Sequence, residues 1–446
     1  MHAYSEVMTL QVLRLKPVTP WQVLGCYAVK SLAEITGQFS AKVVNGELVV
    51  DASARELADW LLEEMTEEKK PHFNTSPFLS QYNKQYNNLL NSFNKKGKSA
   101  LCTLCGKEGA VVELSKAFNP LMVSAPNFRT FYSFGKNKSE RLCVECALQL
   151  FAAPLGAFFF APFHNNNLRI VHLYAFPWHL KEAFIFIDTS KRTIGAQERR
   201  SNLKLNMRKA PVYPEEALLL FLWQLRKNSV LFEGEDFVAG AVSHTRQGKA
   251  WGVETRMEIY RLRPLVRFFE SLIDKGLNLS LCFDSLYESR LSDPYTYRKK
   301  IATDMVRMEH VIWSAEEALL SIDRSIPFLP DMVGEYEMEV KGVDEKIVEM
   351  CKNVGHSIGR FVFKEESKLS TFYQIRNAKT LVDYTKVLES VSLDAVAAGS
   401  ELYLPEAYLK LLTPDDWEIV RSLTNIFAVG MYRYLKSGRK GESQDE

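Results

Sequence analysis

Apolar and polar residues alternate along several segments of the chain, and this period of two predicts β-strands. Single strands are expected at 7–15, 168–176 and 183–190, and strand pairs at 42–50 and 236–263. An Asn-Gly dipeptide at 45–46 marks the turn of the first pair, and a Gln-Gly dipeptide at 247–248 marks the turn of the second. The strands fall in the first 263 residues, so the sheets are expected there.

In other segments apolar residues recur every three or four positions, which predicts amphipathic helices. Thr19 followed by Pro20 suits the start of a helix that continues to about residue 36. Further helices are expected at 53–65 and 214–228. From Pro264 onward the pattern is helical throughout, with helices expected near 264–275, 294–322, 341–355, 378–392 and 415–436. Together these elements predict an α+β fold that ends in an α-helical bundle.

The patterns divide the chain into five parts. We expect an N-terminal α+β part (1–98), a cysteine-containing insert (99–150), a continuation of the α+β body (151–295), a C-terminal helical bundle (296–436) and a disordered tail (437–446). The boundary of the bundle is the least sharp of these, because a helical pattern begins at Pro264 while the bundle proper is expected to start between 295 and 340.

Composition agrees with a globular protein of two or three domains, since the chain has 446 residues, 46% hydrophobic and 25% charged. Its longest apolar run, 150–163, is too short to cross a bilayer and is interrupted by Pro154, so it is expected to lie in the core. The first 17 residues lack the pattern of a signal peptide. We therefore expect a cytoplasmic protein with no membrane partner.

The net charge of +2 conceals an uneven distribution. Residues 310–446 contain 16 Lys and Arg against 23 Asp and Glu, whereas residues 1–309 contain 40 against 31. A chain that separates its charges in this way often presents a basic face to an acidic partner, although local patches matter as much as totals. The charge pattern thus favours, without establishing, a nucleic-acid partner for the N-terminal part.

Four cysteines form two Cys-x-x-Cys pairs, Cys102 with Cys105 and Cys143 with Cys146. Two residues between cysteines allow both thiolates to bind one ion, and two such pairs provide the four sulfur ligands that Zn²⁺ favours. A site with four thiolates has no open position for water, so the expected zinc is structural. The alternatives are two redox dithiols or plain buried cysteines, as expected for Cys26, Cys282 and Cys351.

The segment between the pairs, 106–142, is longer than the 15–20 residues or so of common zinc ribbons. It is therefore expected to be an insertion with a function of its own. The sequence contains no phosphate-binding loop, nucleophile elbow or HExxH motif, and residues 99–150 contain no histidine. We accordingly expect a protein that is not an enzyme.

Three basic segments carry amides or aromatic residues among their charges. Lys and Arg neutralise phosphates, Asn and Gln contact bases or backbone, and aromatic rings stack on unpaired bases. The candidate nucleic-acid-binding residues are Lys84, Asn87, Asn88, Lys95, Lys96 and Lys98, then Arg129, Lys136 and Lys138, and finally Lys191, Arg192, Arg199, Arg200, Lys204 and Arg208 with Arg246, Lys249 and Arg256. Each cluster has a plainer interpretation as solvated surface, and the aromatic residues of 131–134 have one as packing around the zinc.

The chain resembles the large subunit of type I CRISPR effector complexes (Cascade), in the subfamily marked by a CXXC–CXXC region. The resemblance rests on CTLCG at 102–106, APNF at 125–128 and LCVEC at 142–146, and on the order of body, insert and helical C-terminus. It implies a non-catalytic subunit that binds the guide RNA near its 5′ handle and recognises the protospacer-adjacent motif in target double-stranded DNA.

The resemblance also implies partners. They are the Cascade backbone and small subunits, and a downstream helicase-nuclease or transposition adaptor. A separate small subunit made by internal initiation is implied as well, with Met305, Met308 and Met332 as possible starts. Two alternatives from other classes stay open: a zinc-stabilised nuclease or other nucleic-acid-processing enzyme with an unrecognised site, and a scaffold that binds only protein.

Overall fold

The computed structural model describes residues 12–66, 87, 89–91, 100–109, 112–113, 141–160, 163–164, 167–194, 207–231, 237–247 and 250–442. Their contacts define two compact units. The N-terminal unit contains the described residues up to 194 together with 211–262, and the C-terminal unit contains 207–210 and the described residues from 263 onward. The chain is a mixture of helix and sheet with a helical C-terminal region, which confirms the predicted fold class.

A three-stranded antiparallel sheet opens the N-terminal unit. Its strands β1 (Val12–Leu15), β2 (Ala41–Val44) and β3 (Glu47–Asp51) lie in the order β1-β3-β2. The predicted hairpin turn is present: Asn45 and Gly46 have φ values of 51° and 76°, the left-handed pair that a two-residue turn requires. Helix α1 (Pro20–Thr36) connects β1 to β2, and α2 (Ala54–Thr66) follows β3.

A second antiparallel sheet forms the rest of the core of this unit. The strands are β6 (Phe158–Phe160), β7 (Phe163–His164), β8 (Asn167–Pro177), β9 (Phe237–Gln247) and β10 (Ala250–Ile259). Their order is β10-β9-β8-β6, with β7 also paired to β8. Helices α4 (Leu180–Ile194) and α5 (Pro214–Lys227) belong to the same unit. The apolar run at 150–159 is buried, as predicted for a core segment.

One predicted strand is wrong, because residues 183–190 lie in helix α4 and not in a strand. The buried positions Leu180, Ala183, Phe184 and Ile187 recur every three or four residues, whereas Ile185 between them is 61% exposed. The short run AFIFID alternates over only a few residues, and such a run fits a strand as well as a helix. The spacing of three or four residues between buried positions extends over the whole of 180–194, and the segment therefore forms a helix.

Helix α1 crosses α3 (Val144–Gly156) at two glycines. A Cβ atom on Gly25 would lie 1.8 Å from the backbone oxygen of Gln149, and one on Gly156 would lie 2.2 Å from that of Leu24. No real Cβ atom approaches a backbone oxygen so closely. The two helices can therefore cross at this distance only because residues 25 and 156 are both glycine. This contact fixes α3, and with it the residues at its start, to the body of the unit.

Gly25→Ala is therefore expected to destabilise the protein by about 1–3 kcal/mol or more, because a methyl group must push the backbones of α1 and α3 apart. Helix propensity alone predicts the opposite sign, since Ala is favoured over Gly inside a helix by roughly 0.5–1 kcal/mol. Urea denaturation measures the difference. Gly438→Ala is the matched control, because this exposed helical glycine has nothing within 4 Å of its Cβ position, and stability unchanged at Gly25 would contradict the close crossing.

The C-terminal unit is helical in all its described elements. The helices are α6 (Arg263–Asp274), α7 (Leu279–Ser285), α8 (Thr296–Val306), α9 (Ile312–Ser321), α10 (Leu329–Glu339), α11 (Glu345–Lys364), α12 (Ser370–Asn377), α13 (Leu381–Ala397), α14 (Glu406–Lys410) and α15 (Trp417–Glu442). Helices α11 and α15 cross closely, since a Cβ on Gly355 would lie 2.5 Å from the backbone oxygen of Thr424. None of the described helices combines the length and the apolar character that crossing a membrane requires.

Three predicted boundaries differ from the structure. The helical unit begins at Arg263 and not at 296, because α6 packs on α10, with the rings of Phe268 and Tyr336 5.4 Å apart. The helix expected at 294–322 is two helices, α8 and α9, between which Met308 adopts a left-handed φ of 56°. The tail expected to be disordered from 437 continues α15 as far as Glu442.

Candidate metal centre

The first Cys-x-x-Cys pair forms a tight turn closed by backbone hydrogen bonds. The N–H of Gly106 donates to the carbonyl oxygen of Cys102 at 2.8 Å, and the N–H of Cys102 donates to that of Lys107 at 2.8 Å. Gly106 has a φ of 73°, which only glycine adopts at little cost. The turn therefore directs Cys102 and Cys105 to one side, as a metal knuckle requires.

The second pair begins a helix. Cys143 is the N-cap of α3, and its Sγ accepts a hydrogen bond from the N–H of Cys146 at 3.4 Å. Strand β5 (Arg141–Leu142) precedes it and pairs with β4 (Val112–Glu113). The first turn docks on the same strand, since the N–H of Thr103 donates to the carbonyl oxygen of Arg141 at 2.9 Å. Segments distant in sequence are thus brought together by backbone contacts.

The four sulfur atoms of these residues lie within 4.8 Å of one another. The Sγ atoms of Cys105 and Cys143 are 3.7 Å apart, and all four residues are free thiols. A regular tetrahedron with Zn–S bonds of about 2.3 Å places its sulfurs about 3.8 Å apart, so the cluster has the dimensions of a four-thiolate metal site. Cys102, Cys143 and Cys146 are buried and Cys105 is exposed. No other group of three or more potential metal ligands converges among the described residues.

The thiols of the cluster do not share charge equally. Hydrogen bonds from Cys143, and next from Cys146, lower the pKa of Cys102, so that its thiolate is favoured. The pKa of Cys143 is raised, first by its hydrogen bond to Cys102 and then by that to Cys146. The hydrogen bonds among these thiols therefore favour the thiolate at Cys102 and resist ionisation of Cys143. A divalent cation bound by the four sulfurs would remove that resistance, since metal ligation requires deprotonated thiols.

An ion pair joins the two knuckles outside the cluster. The Nζ of Lys107 lies 2.6 Å from Oε1 of Glu145, and each residue stands two positions after a cysteine. The hydrogen bond to Glu145 raises the pKa of Lys107, helped by the nearby Cys143 and Cys105. Burial alone would raise the pKa of Glu145, but the hydrogen bond from Lys107 lowers it below its ordinary value. The sequence prediction missed this pair, although two residues of opposite charge that each stand two positions after a cysteine of a different pair are a signal.

Most of the predicted nucleic-acid-binding residues lie outside the described part of the chain. They are Lys84, Asn88, Lys95, Lys96, Lys98, Arg129, Lys136, Lys138, Arg199, Arg200, Lys204 and Lys249. Asn87 is exposed in a helical turn. Arg246 and Arg256 lie on β9 and β10, where they pair with Trp251 and Val242 respectively. The sequence prediction for these residues stays a prediction.

Two other predicted residues are exposed but engaged in contacts. Arg192, in α4, lies 2.6 Å from the carboxylate of Asp188 one helical turn earlier. Arg208, in the C-terminal unit, donates its backbone N–H to Oδ2 of Asp284 at 3.0 Å. The assignment of both residues to nucleic-acid binding stays a prediction. The basic stretch 190–209 is nevertheless divided between the two units.

Lys191 is not part of a basic surface, which corrects its assignment as a nucleic-acid-binding residue. Its side chain is buried, its Nζ donates to the carbonyl oxygen of Leu155 at 3.2 Å, and it lies 5.0 Å from the ring centroid of Tyr27. The reason is the helix: residue 191 is one turn after the buried Ile187, on the face of α4 that packs on the core. Burial lowers the pKa of Lys191 to about 7.

Comparison with known proteins adds no relative. No family model matches the chain, and no curated protein matches it significantly. The functional argument therefore rests on the residues and their geometry.

Proposed function

We propose that this chain is the non-catalytic large subunit of a type I CRISPR RNA-guided DNA surveillance complex. The observation that carries the proposal is the convergence of the four cysteines, from two segments separated by residues 110–140, on a helix that is itself fixed to the body of the unit. Such a centre pins both ends of a basic, aromatic insertion, as the resemblance to the CXXC–CXXC large subunits implies.

In this proposal the metal is Zn²⁺, and its function is structural. Four thiolates at tetrahedral spacing suit zinc, and a closed set of four protein ligands has no position for water or substrate. Iron also binds four thiolates, so the identity of the metal is measured by elemental analysis and by visible absorbance, which zinc lacks. One zinc per chain without a visible band is the expected result.

Besides the structural metal site, the proposal includes contact with nucleic acid. Guide pairing supplies sequence specificity in such complexes, while the protein recognises a short adjacent motif and holds the backbone. That work requires basic and amide side chains but no catalytic group. We assign recognition of the protospacer-adjacent motif to residues 83–98 and 129–141. We assign binding of the guide RNA near its 5′ handle to the basic residues of 192–209. The C-terminal helical unit would contact neighbouring subunits, and the assembled complex would recruit a helicase-nuclease or a transposition adaptor.

Reversing two charges tests this assignment. Lys95→Glu with Lys96→Glu is expected to weaken binding of target duplex DNA by the assembled complex, because each lysine that neutralises a phosphate releases a counterion. The slope of log K against log salt concentration should decrease by roughly 2. Titrations between 50 and 200 mM salt measure the slope. Lys346→Glu with Lys386→Glu is the control, because these exposed lysines of the C-terminal unit carry the same change of charge.

Three outcomes separate the proposal from its alternatives. An unchanged salt slope in the Lys95 and Lys96 variant contradicts the assignment of the adjacent motif. Cleavage of labelled DNA by the purified chain with Mg²⁺ or Mn²⁺ would favour a zinc-stabilised nuclease, and no shift of guide RNA or target DNA at low salt would favour a protein-only scaffold. Binding of both nucleic acids without cleavage supports the proposal.

A further inference from the structure

A groove of about 730 Å³ lies within the N-terminal unit, between helix α4 on one side and strand β2 on the other. Helix α1 contributes Tyr27, Lys30, Ser31 and Glu34 to its lining. The groove is distant in sequence from the four cysteines and from the predicted nucleic-acid-binding segments, except at Arg192. It is large enough for a bound chain segment of a few residues.

Strand β2 is an edge strand of its sheet in the part of the chain that the structure describes. The N–H of Asp51 donates to the carbonyl oxygen of Ser40 at 2.9 Å, and Lys42 is in register with Val49. Because hydrogen-bonded pairs alternate in antiparallel strands, the bonded positions of β2 are Lys42 and Val44. The backbone groups of Ala41 and Val43 therefore point away from β3, toward the edge, and both residues line the groove.

The charges around the groove favour an anionic occupant. Lys30, Lys42, Lys181 and Arg192 face two carboxylates, of which Glu34 pairs with Lys30 and Asp188 pairs with Arg192. Among the described residues, no carboxylate lies within ion-pairing distance of Lys42 or Lys181. One cation thus projects from β2 and one from α4, on opposite sides of the groove.

The remaining lining is apolar except for Ser31. Tyr27, Val43, Phe184 and Ile185 contribute to it, and Ile185 is 61% exposed although it is a large aliphatic residue. An extended segment presents side chains alternately to its two faces, so that apolar residues can contact this lining while acidic residues reach the lysines. A duplex or a folded nucleic acid has no comparable use for the backbone of β2.

We propose that this groove binds an extended, acidic segment of a partner protein, which adds to the edge of β2 as a fourth strand. The backbone of Ala41 and Val43 provides main-chain hydrogen bonds, the mode by which peptides bind at open sheet edges. Lys42 and Lys181 select acidic side chains, and the apolar lining selects the alternate ones. This proposal stands independently of the proposed nucleic-acid function, because Lys42, Lys181 and the backbone of Ala41 and Val43 are not among the assigned nucleic-acid-binding residues.

Fluorescence anisotropy with designed peptides tests the groove in the full-length protein. The probe is a decapeptide of alternating valine and glutamate, and the comparison peptides are alternating valine and lysine and a backbone N-methylated form of the first. Only the unmodified acidic peptide is expected to bind. Equal binding of the N-methylated peptide would overturn strand addition, and binding of the basic peptide would overturn the charge argument.

Charge reversal in the protein is the second test of the groove. Lys42→Glu with Lys181→Glu is expected to weaken binding of the acidic peptide by at least about tenfold, because both cations become repulsive. Lys16→Glu is the control, since Lys16 is exposed in the same unit but outside the groove. Unchanged binding by the double variant would overturn the proposal. So would a single-stranded 20-nucleotide DNA that binds more tightly than the peptide and loses its affinity in the same variant.

Hydrogen exchange locates the bound segment. The acidic peptide is expected to slow exchange at the amides of Ala41 and Val43, which face the edge, and to leave Lys42 unchanged, because it is already bonded to β3. Protection at Lys42 alone, or at neither Ala41 nor Val43, would place the peptide elsewhere and contradict the proposal.

Discussion

Replacing Cys143 by Ser is expected to abolish metal binding, lower the unfolding temperature sharply and impair DNA binding by the assembled complex. The substitution removes one of the four sulfur ligands, whereas the serine hydroxyl can still cap α3. Binding of structural zinc contributes roughly 10–16 kcal/mol in isolated zinc-finger peptides, which sets an upper bound here. Several kcal/mol of folding free energy should therefore depend on this residue.

Elemental analysis, thermal unfolding and mobility-shift measurements on the same preparations check this result. Cys282→Ser is the matched control, since Cys282 is buried in α7 and belongs to no ligand set. The control should keep one zinc per chain. A Cys143 variant that retains a full equivalent of metal would refute the four-thiolate site, and one that loses metal but still binds DNA with unchanged affinity would show that the centre does not serve nucleic-acid binding.

Replacing the buried Lys191 by Met is expected to stabilise the protein below pH 7. The folded protein holds the pKa of Lys191 at about 7, against 10.5 in the unfolded chain, because burial disfavours the charged amine. This difference corresponds to about 5 kcal/mol of folding free energy lost when the pH is below 7. Methionine fills the same space without a charge, at the cost of the hydrogen bond to Leu155 and the contact with Tyr27.

The sign of the pH dependence follows from proton binding. Between pH 7 and about 10 the unfolded chain binds a proton at Lys191 that the folded protein does not, so the parent protein gains stability as the pH rises through this window. The difference in stability between Lys191→Met and the parent should therefore shrink from pH 6 to pH 10. Lys181→Met, at an exposed position of the same helix, should show no such trend, and a flat difference at Lys191 would contradict the buried amine.

Sequence spacing was sufficient to predict the four-cysteine cluster and most helices and strands, for a physical reason. The Cys-x-x-Cys pairs need only local turn geometry, and the Asn45-Gly46 turn needs only two residues that adopt left-handed φ. Both are determined within a few residues of the chain. The packing that fixes the second knuckle to the body of the unit depends instead on Gly25 and Gly156, whose roles appear only when α1 and α3 cross.

The incorrect predictions have a common origin in tertiary context. Residues 183–190 alternate locally, and Lys191 stands in a basic stretch, but both were decided by which face of α4 packs on the core. The division at Arg263 was missed for the same reason, because contact between α6 and later helices is invisible in a local pattern. A run of charged residues in the sequence therefore predicts surface exposure less reliably than the helical spacing of the apolar residues around it.

The two knuckles affect how much change of sequence the protein can tolerate between them. The clustered thiols and the pairing of β4 with β5 bring together the described residues on either side of residues 114–140, so that this part of the sequence is joined to the body at its two ends. The entropy of closing a loop grows only with the logarithm of its length, so doubling it costs about 0.6 kcal/mol more. Insertions, deletions and exchanges of sequence between the two knuckles are therefore expected to cost little folding free energy, so that this part of the chain can change while the body of the unit stays the same.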